Sequence, residues 1–393
     1  MSNRSRRLVF LALLVAFFIV GVPLALYSYG YRLDIRSYSV SESGGIFIRS
    51  IPADAEIEID GKEIKNESGI LNTGTFVKGL IPKKYAISVS KEGYQPIEIV
   101  AEVTPFEATS FDKLLLIPDI DQLLIAGKFI DLIAGEEFIA TEDEVGRIKF
   151  ENQVIPGQKA IAFTADRKSI LTESEKPGVY LLVNLAKPKS SLNINETFWS
   201  LKSSKLKLPG ETPIRVIIPH PYEPNKFIIS TRSALYLLDV KQLSISMIGD
   251  GVEKIASSGN SAALIRGGEA SLYNFTMKSV SPLISVAGAK QTAFSEGGSK
   301  LAILWQTNVL EIYDIRKKTS LRFSIKSMAP SGKMEWHKDE DHIFLSGAAG
   351  IYFLETDNEV FKPELIVSGS DKFDYGKDGL YFLSTDGIRQ LKL

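Results

Sequence analysis

Apolar and polar positions alternate over short stretches along most of this chain, and only its beginning departs from that rhythm. Leu8 to Leu26 reads LVFLALLVAFFIVGVPLAL and carries no charge. At a rise of 1.5 Å per residue, about 20 helical residues cross a hydrocarbon core of ~30 Å, so the run predicts a transmembrane helix over residues 8–29. Arg4, Arg6 and Arg7 stand before it, in a tail of residues 1–7, and Tyr27, Tyr29 and Tyr31 follow it. Arginines favour the cytoplasmic side and tyrosines the interface, which predicts a cytoplasmic tail and an extracytoplasmic remainder. The apolar run exceeds the roughly 7–15 residues of a signal-peptide core, so a retained anchor is expected over cleavage near Ser28 to Gly30. Pro23 sits late in the helix, where a membrane helix tolerates a mild kink.

Residues 30–45 are polar and read as a short stalk. Over residues 46–112 the period becomes two: Ile46 and Ile48, then Ala55, Ile57 and Ile59, then Tyr85, Ile87 and Val89. This is the pattern of half-buried strands. Asp60-Gly61 marks a tight hairpin, because glycine accepts the positive φ that such a turn needs. The stretch from Val100 to Phe111, with Pro105, reads as a hinge into a second domain.

Several phrases in this segment stand in a fixed order: Ser50-x-Pro52-Ala53-Asp54-Ala55, Ile57-x-Ile59-Asp60-Gly61, Gly79-Leu80-x-Pro82, Tyr85-x-Ile87-x-Val89 and Lys91-Glu92-Gly93-Tyr94. Together they resemble the PEGA domain, a small β-sandwich module of bacterial and archaeal envelope proteins. The resemblance covers about 50 residues. It departs at Pro52 to Ala55, which reads PADA, and at Lys83, where the family usually has a turn glycine. The family brings no catalytic residues.

From residue 113 to 393 short apolar runs alternate with turn residues, and one phrase recurs. Phe163 to Leu171, Phe294 to Ala302, Trp336 to Phe344 and Phe373 to Tyr381 each read strand, polar turn, strand; Pro219 to Phe227 and Ala256 to Ala263 occupy equivalent places. From position 219 the steps to 256, 294, 336 and 373 are 37 to 42 residues, the period of a propeller blade. An insertion around Ala186 to Pro213, rich in Lys, Ser and Pro and read as irregular, lengthens one step. Further runs such as Ala234 to Val240 and Val309 to Ile315 end in Asp-Val or Asp-Ile, near where WD40 blades carry Trp-Asp. Gly135 to Gly157 supplies one more repeat, for about seven blades. The last repeat lacks a strand, and a segment near Leu114 to Ile125 is expected to complete it and close the ring. This portion resembles the WD40-like and TolB-type propellers. The expected fold class is therefore all-β, with an N-terminal transmembrane helix, a small PEGA-type β-sandwich and a C-terminal propeller; a pair of sandwiches is the alternative.

Composition narrows the function. The chain has 46 basic and 47 acidic residues, a formal net charge of −1, which argues against a nucleic-acid binder. It has no cysteine, which removes disulfides, thiol catalysis and thiolate-held metals. Neither a Gly-x-Ser-x-Gly elbow, a Walker loop nor a His-Glu-x-x-His helix occurs. The three histidines, His220, His337 and His342, fall at repeat turns, and the acidic run Asp339 to Asp341 beside two of them reads as a solvated blade edge. No catalytic residue, metal ligand or cofactor is therefore expected. Trp305 and Trp336 fall at core positions. Trp199, in the insertion, reads as an exposed aromatic contact, and Lys202, Lys205 and Lys207 beside it as a basic patch for an anionic envelope polymer.

Two functions remain open. One is a single-pass, membrane-anchored scaffold of the cell envelope, whose propeller presents a face to an envelope protein or glycan. The other is an extracytoplasmic glycan hydrolase or lyase with carboxylates in the propeller funnel. A convergent set of acids on one face would separate them.

Overall fold

The computed structural model describes residues 3–34, 39–69, 72–135, 138–151, 153–209 and 211–393. It divides into two compact units, residues 1–120 and 121–393.

The first unit begins with helix α1, Asn3–Ser28, within which Val9–Leu26 has a mean hydropathy of 2.9 and no buried residue. Within the stretch read as a short stalk, β1 (Tyr31–Asp34) pairs antiparallel with β2 (Ser39–Glu42). Seven more strands come after it: β3 (Gly44–Ile51), β4 (Glu56–Ile59), β5 (Lys62–Ile64), β6 (Thr75–Leu80), β7 (Lys84–Ser90), β8 (Ile97–Glu102) and β9 (Ala108–Leu115). They form two sheets, in the orders β6-β3-β9 and β5-β4-β7-β8. The alternation seen in the sequence sets the inward rows: Ile46 and Ile48 on β3, Ile57 on β4, Ile87 and Val89 on β7 and Ala101 on β8 are all buried, with Phe111 and Leu114 from β9. Asp60 (φ 51°) and Gly61 (φ 72°) both take the left-handed conformation of a two-residue hairpin. Asp60 is held there by the amide of Ala86, which donates to its carboxylate at 3.0 Å, and by Lys83 Nζ at 2.6 Å. The lysine that departs from the family pattern thus ties two turns together.

The second unit holds seven four-stranded antiparallel sheets among the described residues. Their first strands are Phe129–Ala134, Lys159–Phe163, Val216–Pro219, Lys254–Ser258, Ala289–Phe294, Pro330–Trp336 and Phe373–Gly376, for blades 1 to 7. Consecutive first strands pack side by side around the axis, blade 7 against blade 1 included. The core lies between blades. Phe150 and Phe163 join blades 1 and 2, Ala263, Leu301 and Ile303 join blades 4 and 5, and Leu132, Tyr381 and Ile388 join blades 1 and 7. One twisted sheet has two apolar faces, and stacking in a ring buries both.

Blade 7 takes its outermost strand from the start of the unit. Gln122–Ala126 pairs antiparallel with Gly387–Leu391, the last strand of the chain, and joins the two ends. The stretch expected to close the ring is thus divided, since Leu114 and Leu115 belong to β9 of the first unit.

Blades 2, 3 and 5 share two polar devices, which underlie the recurring phrase there. The residue after the first strand is buried and caps the turn to the second. Thr164 Oγ1 accepts from Ser169 N, Ser295 Oγ from Lys300 N, and His220 Nδ1 from the amides of Tyr222 and Glu223. At the end of the third strand, Asn184, Asp239 and Asp314 each accept two backbone amides of the following turn through one side-chain oxygen. Short polar side chains that mimic a backbone turn are the natural choice in both places.

Candidate functional site

The first strands of the blades line an axial channel. Toward one end lies a cavity of about 330 Å³ bounded by Asp131, Ala160, Lys333, Glu335, Lys372 and Asp374, among others. Lys333 is its central charge. Its Nζ donates to Asp374 Oδ1 at 3.0 Å and lies 3.6 Å from Glu335 Oε1. Burial would lower the lysine pKa, but Asp374 and Glu335 raise it above the usual range, so the ammonium stays charged. Burial pushes Glu335 up to about 7, against the pull of Lys333. The other oxygen of Asp374 accepts from Ala134 N of blade 1 at 2.7 Å.

Two more lysines repeat this reach across to the next blade. Lys254 Nζ donates to the carbonyl of Lys290 at 3.2 Å, and Lys290 Nζ to that of Pro330 at 2.6 Å. With Lys333 and Asp374 the chain of contacts runs from blade 4 through 5, 6 and 7 to blade 1. These residues were not singled out in the sequence. A signal was present, because Lys254, Lys290, Lys333 and Lys372 all fall within or immediately before the first strand of their repeats.

A second polar cluster sits on blade 6. His337 is buried (4% exposed) and His342 fully so. Asp339 lies between them, Oδ1 at 2.9 Å from His337 Nδ1 and Oδ2 at 2.7 Å from His342 Nδ1. On the far side of the ring, His342 Nε2 lies 3.8 Å from Glu355 Oε2, and Phe353 stacks on the imidazole at 4.9 Å. Burial would lower the His342 pKa, but the hydrogen bond to Asp339 and the nearby Glu355 carboxyl raise it to about 9. Burial pushes Glu355 up to about 8. The reading of this turn as a solvated edge is therefore corrected. Its acids fasten neighbouring blades: Asp341 holds Lys300 Nζ of blade 5 at 2.7 Å, and Glu340 accepts from Gly297 N and Ser299 Oγ. His337, Asp339 and His342 have the donor types of a zinc site, with ligand atoms within 4.8 Å of one another. Contacts with Asp339 occupy both Nδ1 atoms. His220, on blade 3, stands apart and stays neutral, since burial pushes its pKa down.

The insertion is a helix rather than irregular chain. Helix α2, Ile194–Leu206, is capped by Asn193, whose side chain accepts from Glu196 N at 3.2 Å while Glu196 Oε1 accepts from Asn193 Nδ2 at 2.9 Å. Ile194, Phe198 and Leu201 share one face and enter the core between blades 2 and 3, with Phe198 5.2 Å from Tyr236. Trp199 is half-buried against that core, and its Nε1 donates to Thr212 O at 3.0 Å. Lys202 is buried and donates to Pro209 O at 2.6 Å and to Thr212 Oγ1. Lys205 and Lys207 are exposed. The structure therefore does not gather the four residues into one exposed patch. Trp336 is buried (6% exposed) and donates to Ala293 O at 3.2 Å, as a core position demands.

Comparison with known proteins agrees with this architecture. Residues 43–116 match the family model of the PEGA domain. The chain is similar to the β-propeller domain of Myceliophteria thermophila Cps50 (Swd1), at 9% identity and a TM-score of 0.50, over 70% of this chain and all of that one. At that identity the likeness concerns the fold alone. No curated protein matches the chain. The chain therefore combines an N-terminal apolar helix, a segment that matches the PEGA domain model and, among the described residues, a β-propeller of seven four-stranded blades.

Proposed function

We propose that this is a single-pass, membrane-anchored binding or scaffold protein of the cell envelope, with the bulk of the chain outside the cytoplasm. On this reading the propeller presents an interaction face to an envelope protein or glycan. The observation that carries it is the closed ring. Rigid blades joined end to end display loops and a channel mouth in fixed geometry, and Lys254, Lys290 and Lys333 each join one blade to the next along the axis. The apolar helix supplies an anchor by length and composition, and the three arginines before it favour the orientation.

One observation supports the enzyme reading. Asp131, Glu335 and Asp374 converge on the channel cavity, and Glu335 is raised to about 7, in the range useful to a general acid. A single experiment separates the two. The full chain in detergent is incubated with isolated cell-wall glycan and, in parallel, crosslinked in cells. Retention of glycan, or crosslinking to one envelope protein at fixed stoichiometry, without product release supports the scaffold. Release of soluble glycan fragments that stops in Glu335→Gln would overturn it in favour of the enzyme.

A further inference from the structure

Gly30, two residues beyond α1, is fastened to the β-module. Ser43 donates to its carbonyl through both N (2.8 Å) and Oγ (2.7 Å), and Phe106 N donates to Ser43 O at 2.9 Å. Phe106 occupies the tight turn between β8 and β9 with φ 63°, a conformation that side chains bearing a Cβ rarely adopt. The residue is 51% exposed, and its ring meets Tyr31 edge-on at 5.2 Å. Strained backbone that displays a half-exposed phenylalanine contributes little to the core of the module.

The strand registers show what surrounds this turn. Gly44 faces Leu80, Gly45 faces Ala108 and Lys84 faces Glu102, so the β6–β7 turn lies at the same end. That turn exposes Ile81 (49%), and Tyr29 at the helix exit is 76% exposed. Basic groups stand beside these apolar tips: Arg32 donates to Gly79 O at 3.1 Å, and Lys83 lies over the Tyr85 ring at 4.4 Å. At the opposite end, where Ile51 faces Leu115 and Glu56 faces Ser90, the turns are Pro52-Ala53-Asp54 and Lys91-Glu92-Gly93. The acids of this end are engaged, Asp60 with Lys83, Glu102 with Lys84 at 3.9 Å and Glu107 accepting from Thr104 Oγ1 at 2.7 Å. Aromatic and aliphatic tips beside Arg and Lys are the composition of a membrane interface.

The distances agree. Leu26 ends the apolar run, and Ser28 lies two helical residues on, about 3 Å along the axis. Two further residues, at most ~3.6 Å each, reach Gly30, which puts it within about 10 Å of the hydrocarbon edge. The headgroup layer is about 5–8 Å thick on each side. A phenylalanine ring attached through Ser43 to Gly30 falls within reach of it.

We propose that the turn from Thr104 to Glu107, with Phe106 at its tip and Ile81 and Tyr31 beside it, inserts into the headgroup layer of the membrane that α1 crosses. The β-module then rests on the lipid surface instead of swinging on a tether. This rests on the anchored reading given above. Because the chain has no cysteine, a single one can be labelled cleanly. The full-length variants Phe106→Cys, Ile81→Cys and Glu92→Cys, each carrying a nitroxide, are reconstituted into phosphatidylcholine/phosphatidylglycerol vesicles. Collision rates with oxygen and with a water-soluble nickel chelate are then compared. The expected result is an oxygen-to-nickel ratio several-fold higher at 106 and 81 than at 92. Equal, water-like ratios at all three sites in chains that float with the vesicles would overturn the insertion while leaving the anchor intact. Chains that fail to float would refute the anchor, and the insertion with it. The Ile81 variant keeps Phe106, so a folding defect at 106 alone does not decide the outcome.

Discussion

Replacing Asp339 with asparagine removes the charge that lies between His337 and His342, 2.9 Å and 2.7 Å from their Nδ1 atoms. His342 shows the size of the effect. Its imidazole is raised from 6.5 to about 9 in the folded chain. The folded state therefore binds the extra proton between those values. The stability it contributes is complete below pH 6.5 and is lost as pH rises through 9. At 1.36 kcal/mol per pH unit this amounts to about 3 kcal/mol. Glu355, raised by burial from 4.5 to about 8, acts in the same direction, present below 4.5 and lost on rising through 8. Urea unfolding followed by tryptophan emission measures this directly, because Trp199, Trp305 and Trp336 all lie in the second unit and report the propeller alone. Asp339→Asn removes Asp339's share of that shift and leaves Glu355's, so it is expected to cost up to about 3 kcal/mol at pH 6 and much less at pH 9.5, where the wild type has itself lost the His342 contribution. An equal cost at both pH values would refute the reasoning, since it would show that the imidazolium is not what Asp339 stabilises.

Other substitutions test other joints of the fold. Gly387 (φ 152°) opens the last strand, and a Cβ there would collide with Ile125 O on the closing strand; Gly387→Ala is expected to unpair Gln122–Ala126 and give early cleavage near residue 121 in limited proteolysis. Phe198→Ala empties a fully buried site beside Tyr236 and is expected to cost about 3–5 kcal/mol by urea unfolding, whereas Lys205→Ala, on the exposed face of α2, stays within ~0.5 kcal/mol. Lys333→Met leaves Asp374 and Glu335 without their cation and is expected to destabilise the propeller more at pH 8 than at pH 5.5, where Glu335 is protonated, with the loss held down because Lys333 and Glu335 are both about a third exposed to the channel; urea unfolding at the two pH values measures it.

Local period and turn chemistry made much of this fold legible. The alternation of Ile46 and Ile48 with Ile57 and Ile59 survives as buried rows, and the spacing of Pro219, Phe294 and Trp336 recurs as blades. Closure was legible because the last repeat was short by one strand. What escaped was set by contacts distant in sequence. Helix α2 was hidden by its Lys and Ser content, although Asn193 and Glu196 spell a capping box and Ile194, Phe198 and Leu201 a helical face. Trp199 and Lys202 looked like surface groups because their partners, Thr212 and Pro209, lie across a turn. The channel charges escaped for a similar reason. Lys333 and Asp374 stand 41 positions apart, and only the stacking of one blade on the next brings them together.

The most direct test of the account is the side of the membrane on which the propeller lies. Val145 is exposed (77%) on a loop of blade 1, and Val145→Cys supplies the chain with a single thiol. Intact cells expressing this full-length variant are treated with a membrane-impermeant maleimide, then washed, lysed and fractionated. The account predicts labelled protein of full length in the membrane fraction. Labelling only after the membrane is permeabilised would place the propeller in the cytoplasm and contradict it, and labelled protein shed without α1 would contradict the retained anchor.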